Sequence, residues 1–250
     1  MTGEADVLQL TNTLSSEHLQ QALDLLATSK KHHDPKWRPS DDEEGVWPDK
    51  TSHLYALSSI MHAFAALEGH VNRIAYAILR EPEFPYFVAQ ENRTVEFGDL
   101  VSKWDGSLSI EKKTQFLLGQ RHATYPGYLI PSLRELTNLR NWIVHGKVYR
   151  TALLIERSAD KPNSGTLRLR ADDEEWAPRF PRYKFPMPDR LSYPDARKFF
   201  IGIVETMSYL GDAYKMPSLV IVGEPGSLKV ILLSAESDAI SQVSSYLDEM

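Results

Sequence analysis

Arg140, Asn141 and His145 stand close together in the segment LRNWIVHG (139–146). An imidazole has an ordinary pKa near neutrality, so it can take or give a proton at physiological pH. A guanidinium five positions earlier can hold a nonbridging phosphate oxygen and stabilise negative charge that grows in a transition state. An amide beside it can orient the phosphate or the imidazole. The surrounding residues are largely apolar. Winding 133–147 at about 100° per residue gathers Leu133, Leu136, Leu139, Ile143 and Val144 on one arc, with Arg140 inside it. Arg134, Asn138, Asn141 and His145 form a polar stripe beside that arc.

A guanidinium on an apolar arc calls for a counter-charge, because it cannot shed its proton when buried. The alanine-rich stretch from Thr51 to Arg80 supplies one. Its apolar side collects Leu57, Ile60, Phe64, Val71 and Ala75, and Glu68 and Asn72 fall among them. The expectation is that Glu68 lies near Arg140 across two packed helices. A salt bridge that fixes helix register, with His145 capping the helix end, would explain the same residues without any chemistry.

The remaining elements must position these two helices. Residues 16–30 carry Leu19, Leu23 and Leu26 at helical spacing, with Ser15 or Ser16 available as a cap, and read as an outlying helix. Residues 30–50 are charged, contain three prolines and lack a period, so they read as a linker. The 51–80 helix opens on a Thr or Ser cap and stops before Glu81-Pro82. Short helices are predicted near 95–104 and 109–119, then a helix from Pro131-Ser132 that Gly146 can end. VYRTALLIER and SGTLRLR, joined by SADKPN, predict a β-hairpin. A proline-rich crossing leads to a last long helix, YPDARKFFIGIVETMSYLGDAY. Two short apolar strands around Glu-Pro-Gly-Ser and a terminal helix close the chain.

Composition removes several classes of chemistry. With no cysteine among 250 residues there are no disulfides, zinc-thiolate sites or thiol nucleophiles. Hydrophobic content of 42% with 25% charged residues is ordinary for a soluble globular protein. No run of eighteen apolar residues exists, and the polar start MTGEADVLQL lacks the pattern of a secretory signal, so a cytoplasmic protein with no membrane partner is expected. GEPGS (223–227) lacks the Lys-Ser/Thr of a phosphate-binding loop, and no serine sits in a nucleophile elbow. His32-His33, His62, His70 and His122 show no metal-chelating spacing, so no metal and no cofactor is assigned. The net charge of −6 hides a bias: residues 140–170 hold seven basic side chains against Glu156 and Asp160, a local +5 that can steer a phosphate-bearing ligand. The acidity lies elsewhere, notably in DDEE at 41–44 and 172–175.

A helix ending in leucine-Arg-Asn-x-x-x-His-Gly, after a long helix with an inward Glu, resembles the HEPN family, the helical domains of many prokaryotic RNase toxins and defence proteins. Arg140, Asn141 and His145 match its Arg-to-His motif, and Glu68 stands where the family commonly places an acidic residue. The resemblance implies a mainly α, HEPN-like helical bundle over 51–215 with a β-hairpin insertion at 148–170. Residues 1–50 then form an N-terminal helix and linker, and 216–250 an appendage of β-hairpin plus helix.

It also implies a metal-independent endoribonuclease, of the toxin or antiviral-defence kind. RNA carries its own nucleophile in the 2′-hydroxyl, so a proton acceptor and a charge stabiliser suffice. His145 would serve as acid or base and Arg140 would hold the phosphate; Asn141 would orient it and Glu68 would aim Arg140. A homodimer would supply a second His145 to a composite site. Arg134, Lys147 and Arg150 would contact RNA backbone, with Tyr149, Trp142 and Trp176 as candidates for base stacking. An antitoxin or other regulatory protein is a further expected partner. The alternative within the same resemblance is an inert HEPN-like module for binding or dimerisation.

Overall fold

Small residues set the architecture by letting two long helices lie close together. In the computed structural model, which describes residues 14–34, 50–79, 104, 108–145, 153–158, 161–169, 191–223, 226–235 and 238–249, α1 (Ser15–Lys31) packs along α2 (Lys50–Leu79). Ala22 on α1 and Ala56, Ala63 and Ala66 on α2 are fully buried. A Cβ at Gly69 would stand 3.3 Å from the Cβ of Ser15, so even one methyl would press the helices apart there. Serine hydroxyls tie the two helices by donating to backbone carbonyls. Ser15 Oγ reaches Ala66 O at 2.8 Å and Ser59 Oγ reaches Ala22 O at 2.8 Å. Ser29 and Ser52 donate to each other's carbonyls at 2.8 and 2.9 Å.

Two expectations change here. Ser15 and Ser52 do not cap their helices: Leu14 is the N-cap of α1 without a side-chain bond, and both hydroxyls are used between helices instead. Nor does α1 lie outside the main body, for Leu19, Leu23 and Leu26 join the same core as Phe64, Leu67 and Phe199. An apolar stripe states that a helix has a buried face but not what covers it.

The long apolar helix α5 (Tyr193–Tyr214) packs on α2 and also meets α1 and the helices Leu129–Val144 and Ala239–Glu249. Pro194 sits in its first turn, and the Asp195 carboxylate accepts from the Ser192 N–H at 3.0 Å and its hydroxyl at 3.1 Å. Between α2 and α5 in the chain come α3 (Ile110–Gln120) and α4 (Leu129–Val144). Helix α4 begins two residues before Pro131; the proline falls in the first turn, where the missing N–H costs no helical bond.

The hairpin β1 (Leu153–Ser158) and β2 (Lys161–Leu169) is antiparallel, with Leu153 opposite Leu169 and an irregularity at Arg157/Ser158. Strand β2 starts at Lys161, so Lys161, Pro162 and Asn163 of the expected loop are strand. A two-stranded sheet is all edge, which lets Pro162 sit in it.

At the C-terminal end β3 (Leu219–Val222) pairs with β4 (Lys229–Leu232). Val220, Val222 and Ile231 face the core, whereas Leu219, Ile221, Val230 and Leu232 are exposed. The tail therefore packs on the body through one face. Helix α6 (Ala239–Glu249) is held at its C-terminal end by cations, as unpaired helix carbonyls favour. Lys30 Nζ donates to the carbonyls of Leu247 and Asp248 at 2.9 and 2.8 Å, and Arg197 pairs with Asp248 at 2.8 Å.

The molecule is thus mainly helical, with two small antiparallel hairpins among the described residues. No described helix is long and apolar enough to cross a membrane. The 95–104 helix apart from Trp104, Gly146, both DDEE clusters and the crossing up to Arg190 lie outside the described residues.

Candidate functional site

The site grows from one crossing, where α4 lies against α2. Leu133, Leu136 and Leu139 on α4 are buried and fix the rotation of the helix. That rotation lays Arg140 onto α2, its Cζ 5.0 Å from the centre of the Phe64 ring. One turn along α2 from Phe64 stands Glu68, whose Oε2 is 3.7 Å from Arg140 Nη2. The guanidinium also donates from Nη1 to Asn141 Oδ1 at 3.0 Å. A ring below, a carboxylate at one end and an amide at the other hold the guanidinium plane in a fixed direction.

The expected contact between Glu68 and Arg140 is present, but it is not deep. The Arg140 side chain keeps 22% of its surface and Glu68 keeps 42%. The apolar arc of α2 is narrower than its sequence suggests: Asn72, read as inward, is exposed, and its Oδ1 accepts from Trp104 Nε1 at 3.1 Å and Lys113 Nζ at 3.4 Å. Arg140 spans both environments. Its Nε is closed off without a hydrogen-bond partner among the described residues, and its far end reaches the rim where Glu68 meets solvent. Water screens such a pair, so its contribution to stability stays under about 1 kcal/mol.

His145 is the C-cap of α4, where its N–H still donates to Asn141 O at 3.0 Å. Its side chain is exposed. Asn141 lies one turn before His145 on the same stripe. Because the guanidinium bends over to Asn141, the amide links the Arg140 charge to the helix side on which the imidazole emerges. An anion settling beyond Asn141 would meet spare N–H donors of Arg140 without disturbing Glu68.

The flanking expectations divide. Arg134 is exposed and directed to Glu111 on α3, with Nε and Oε1 3.9 Å apart, an ordinary surface pair. Lys147, Tyr149, Arg150 and Trp176 lie outside the described residues. Trp142 is half-buried. No group of three His, Asp or Glu side chains able to hold a metal occurs among the described residues. His32 stacks near Tyr55 and His33 lies tilted beside Tyr193, whereas His62 meets His18 and His70 is buried elsewhere on α2.

Sequence reasoning did not find the role of Phe64. The signal was available in the spacing: Phe64 and Glu68 are four apart, so a cation drawn to the carboxylate from a neighbouring helix crosses the ring. No protein-family model, curated protein or solved structure matches the chain.

Proposed function

We propose that the chain is a metal-independent endoribonuclease on a HEPN-like helical scaffold, acting as a toxin or defence effector. The observation that supports this reading is the oriented guanidinium of Arg140, held between Phe64, Glu68 and Asn141 one turn from an exposed His145. In the reaction, a base removes the 2′-hydroxyl proton, the 2′-oxygen attacks phosphorus, and the 5′-oxygen leaves with a proton from an acid. Arg140 neutralises charge gathering on the nonbridging oxygens, and Asn141 positions the phosphate. The products are a 2′,3′-cyclic phosphate and a 5′-hydroxyl. His145 is the base or the acid, and a homodimer brings a second His145 for the other step.

A second reading is supported by the same ion pair. Glu68 already neutralises Arg140, which suits an inert module on this scaffold that serves binding or dimerisation. Incubation of total RNA with the purified protein in excess chelator, followed by end-group analysis, separates the two. The enzyme reading expects cyclic phosphate ends and a fall of at least about 100-fold in His145→Ala and Arg140→Ala, the scale of one lost acid–base or charge-stabilising group. Cleavage that needs added Mg²⁺, or survives in both variants, overturns it.

A further inference from the structure

Away from the α2–α4 crossing, two imidazoles meet where α1 lies on α2. The Nδ1 atoms of His18 and His62 are 3.0 Å apart, in a part-buried setting. Their ring centroids are 5.2 Å apart with the planes tilted by 44°. The centroid separation exceeds that of the nitrogens by nearly two ring radii, so the nitrogens face each other end to end. Two lone pairs repel in this arrangement, and so do two N–H groups. One proton between the nitrogens satisfies it. A metal ion bound to both would need the lone pairs turned toward a common point about 2.0–2.1 Å from each, off the line joining them, and the alignment is wrong for that.

We infer that the His18–His62 contact is an acid-released latch between α1 and α2. A neutral pair keeps it closed, with one ring donating from Nδ1 to the other. A singly charged pair also keeps it closed, since the imidazolium donates to its neutral partner. A second added proton places N–H against N–H and one positive charge against another, and the contact opens.

Nothing nearby compensates for the second charge among the described residues. One turn away on α2 stand Ser58, Ser59, Ala65 and Ala66, and on α1 Ser15, Gln21 and Ala22. Glu17, beside His18 on α1, is exposed. Glu68, the next acid along α2, is paired with Arg140. Strand β3, which meets α1 through Gln20 and Ile221, has no ionisable residue. The ionisable groups of α5 are engaged elsewhere: Asp195 with Ser192 and Lys198, Arg197 with Asp248, Glu205 with Tyr128, and Asp212 with the Ala235 N–H. Burial first, and the His18 charge second, hold His62 below the ordinary histidine range. The latch therefore holds fully above about pH 6.5 and opens as the pH falls below it. What opens is the first part of α1, including the Ser15 hydroxyl bond to Ala66 and the close approach at Gly69.

Amide hydrogen exchange of the full chain tests this, with rates corrected for the intrinsic effect of pH. Between about pH 7 and about pH 5, protection of amides in the first half of α1 should fall at least about tenfold in the natural chain. In His62→Gln, and separately in His18→Gln, the fall should be about tenfold smaller, because glutamine hydrogen-bonds without titrating. His70 is untouched in both variants, so its own acid sensitivity cancels in the comparison. Protection that stays constant in the natural chain, or falls equally in the variants, overturns the latch.

Discussion

Helix α2 carries two polar clusters within two turns of each other, and they are opposites. At the rim, Glu68 meets Arg140, whose side chain keeps 22% of its surface and donates to Asn141. Inside, His70 is fully buried; its Nδ1 accepts from Ser218 Oγ at 3.1 Å and from Arg73 Nη2 at 3.2 Å. Arg73 also donates to Met216 O at 3.1 Å, so the cluster ties α2 to the segment between α5 and β3. Desolvation first, and the adjacent Arg73 second, push the His70 pKa down to about 3. The Met207 backbone opposes this only in part, and Nε2 has no partner in hydrogen-bonding geometry among the described residues. His70 is thus locked neutral with Nδ1 as acceptor, while burial lowers Arg73 as well. Both clusters combine a cation with a hydrogen-bonding side chain, yet the inner one closes on a buried imidazole and a backbone carbonyl, whereas the outer one stands at the rim beside a 42% exposed carboxylate. A polar cluster becomes a candidate site through its place at the surface, not through its residue types.

The largest effect that can break this comparison is acid. Between about pH 6.5 and about 3 the unfolded chain binds a proton that buried His70 refuses, so stability is intact above that window and falls as the pH drops through it. The expected loss attributable to His70 is about 1.4 kcal/mol per pH unit. In urea denaturation across this range, stability should fall more steeply with acid in the natural chain than in His70→Gln, by about that amount per pH unit. Equal slopes would mean that His70 is not the buried neutral group described.

The next effect sharpens the inner half. A Cβ on Gly211 would stand 2.9 Å from Pro217 Cα, and Pro217 lies between the two residues that bind Arg73 and His70. Gly211→Ala should destabilise the fold by about 1–3 kcal/mol through overpacking. The proposed RNA cleavage, per folded molecule, should not change, because the crossing at Arg140 is untouched; a loss of activity without a loss of stability would contradict the separation of the clusters.

The smallest effect on stability belongs to the rim. Glu68→Gln should cost under about 1 kcal/mol, as for other exposed pairs, while the proposed RNA cleavage should fall about tenfold because Arg140 loses its aim. A cost of several kcal/mol, with activity retained, would make Glu68 a structural partner and nothing more.

Much of this was legible in the residues themselves. The periods of α1, α2, α4 and α5 follow from their apolar spacing, and the contact of Glu68 with Arg140 follows from the cost of an unmatched charge. What remained hidden depends on how helices cross. Sequence period places Arg140 and Glu68 on inward arcs, but the crossing decides that Glu68 stays 42% exposed while His70, two residues on, is sealed. The meeting of His18 with His62 joins positions 44 apart, and no local pattern announces it. Serines that look like caps serve between helices instead, because the alanine-rich contact brings carbonyls within their reach.

We propose that Arg140 and His145 act on a phosphodiester whose own 2′-hydroxyl is the nucleophile. An RNA oligonucleotide with a single 2′-deoxy residue placed 5′ of a mapped cut tests it directly, in chelator. Cleavage at that bond should stop while other bonds in the same strand are still cut. Cleavage at the deoxy position at an unchanged rate would contradict it.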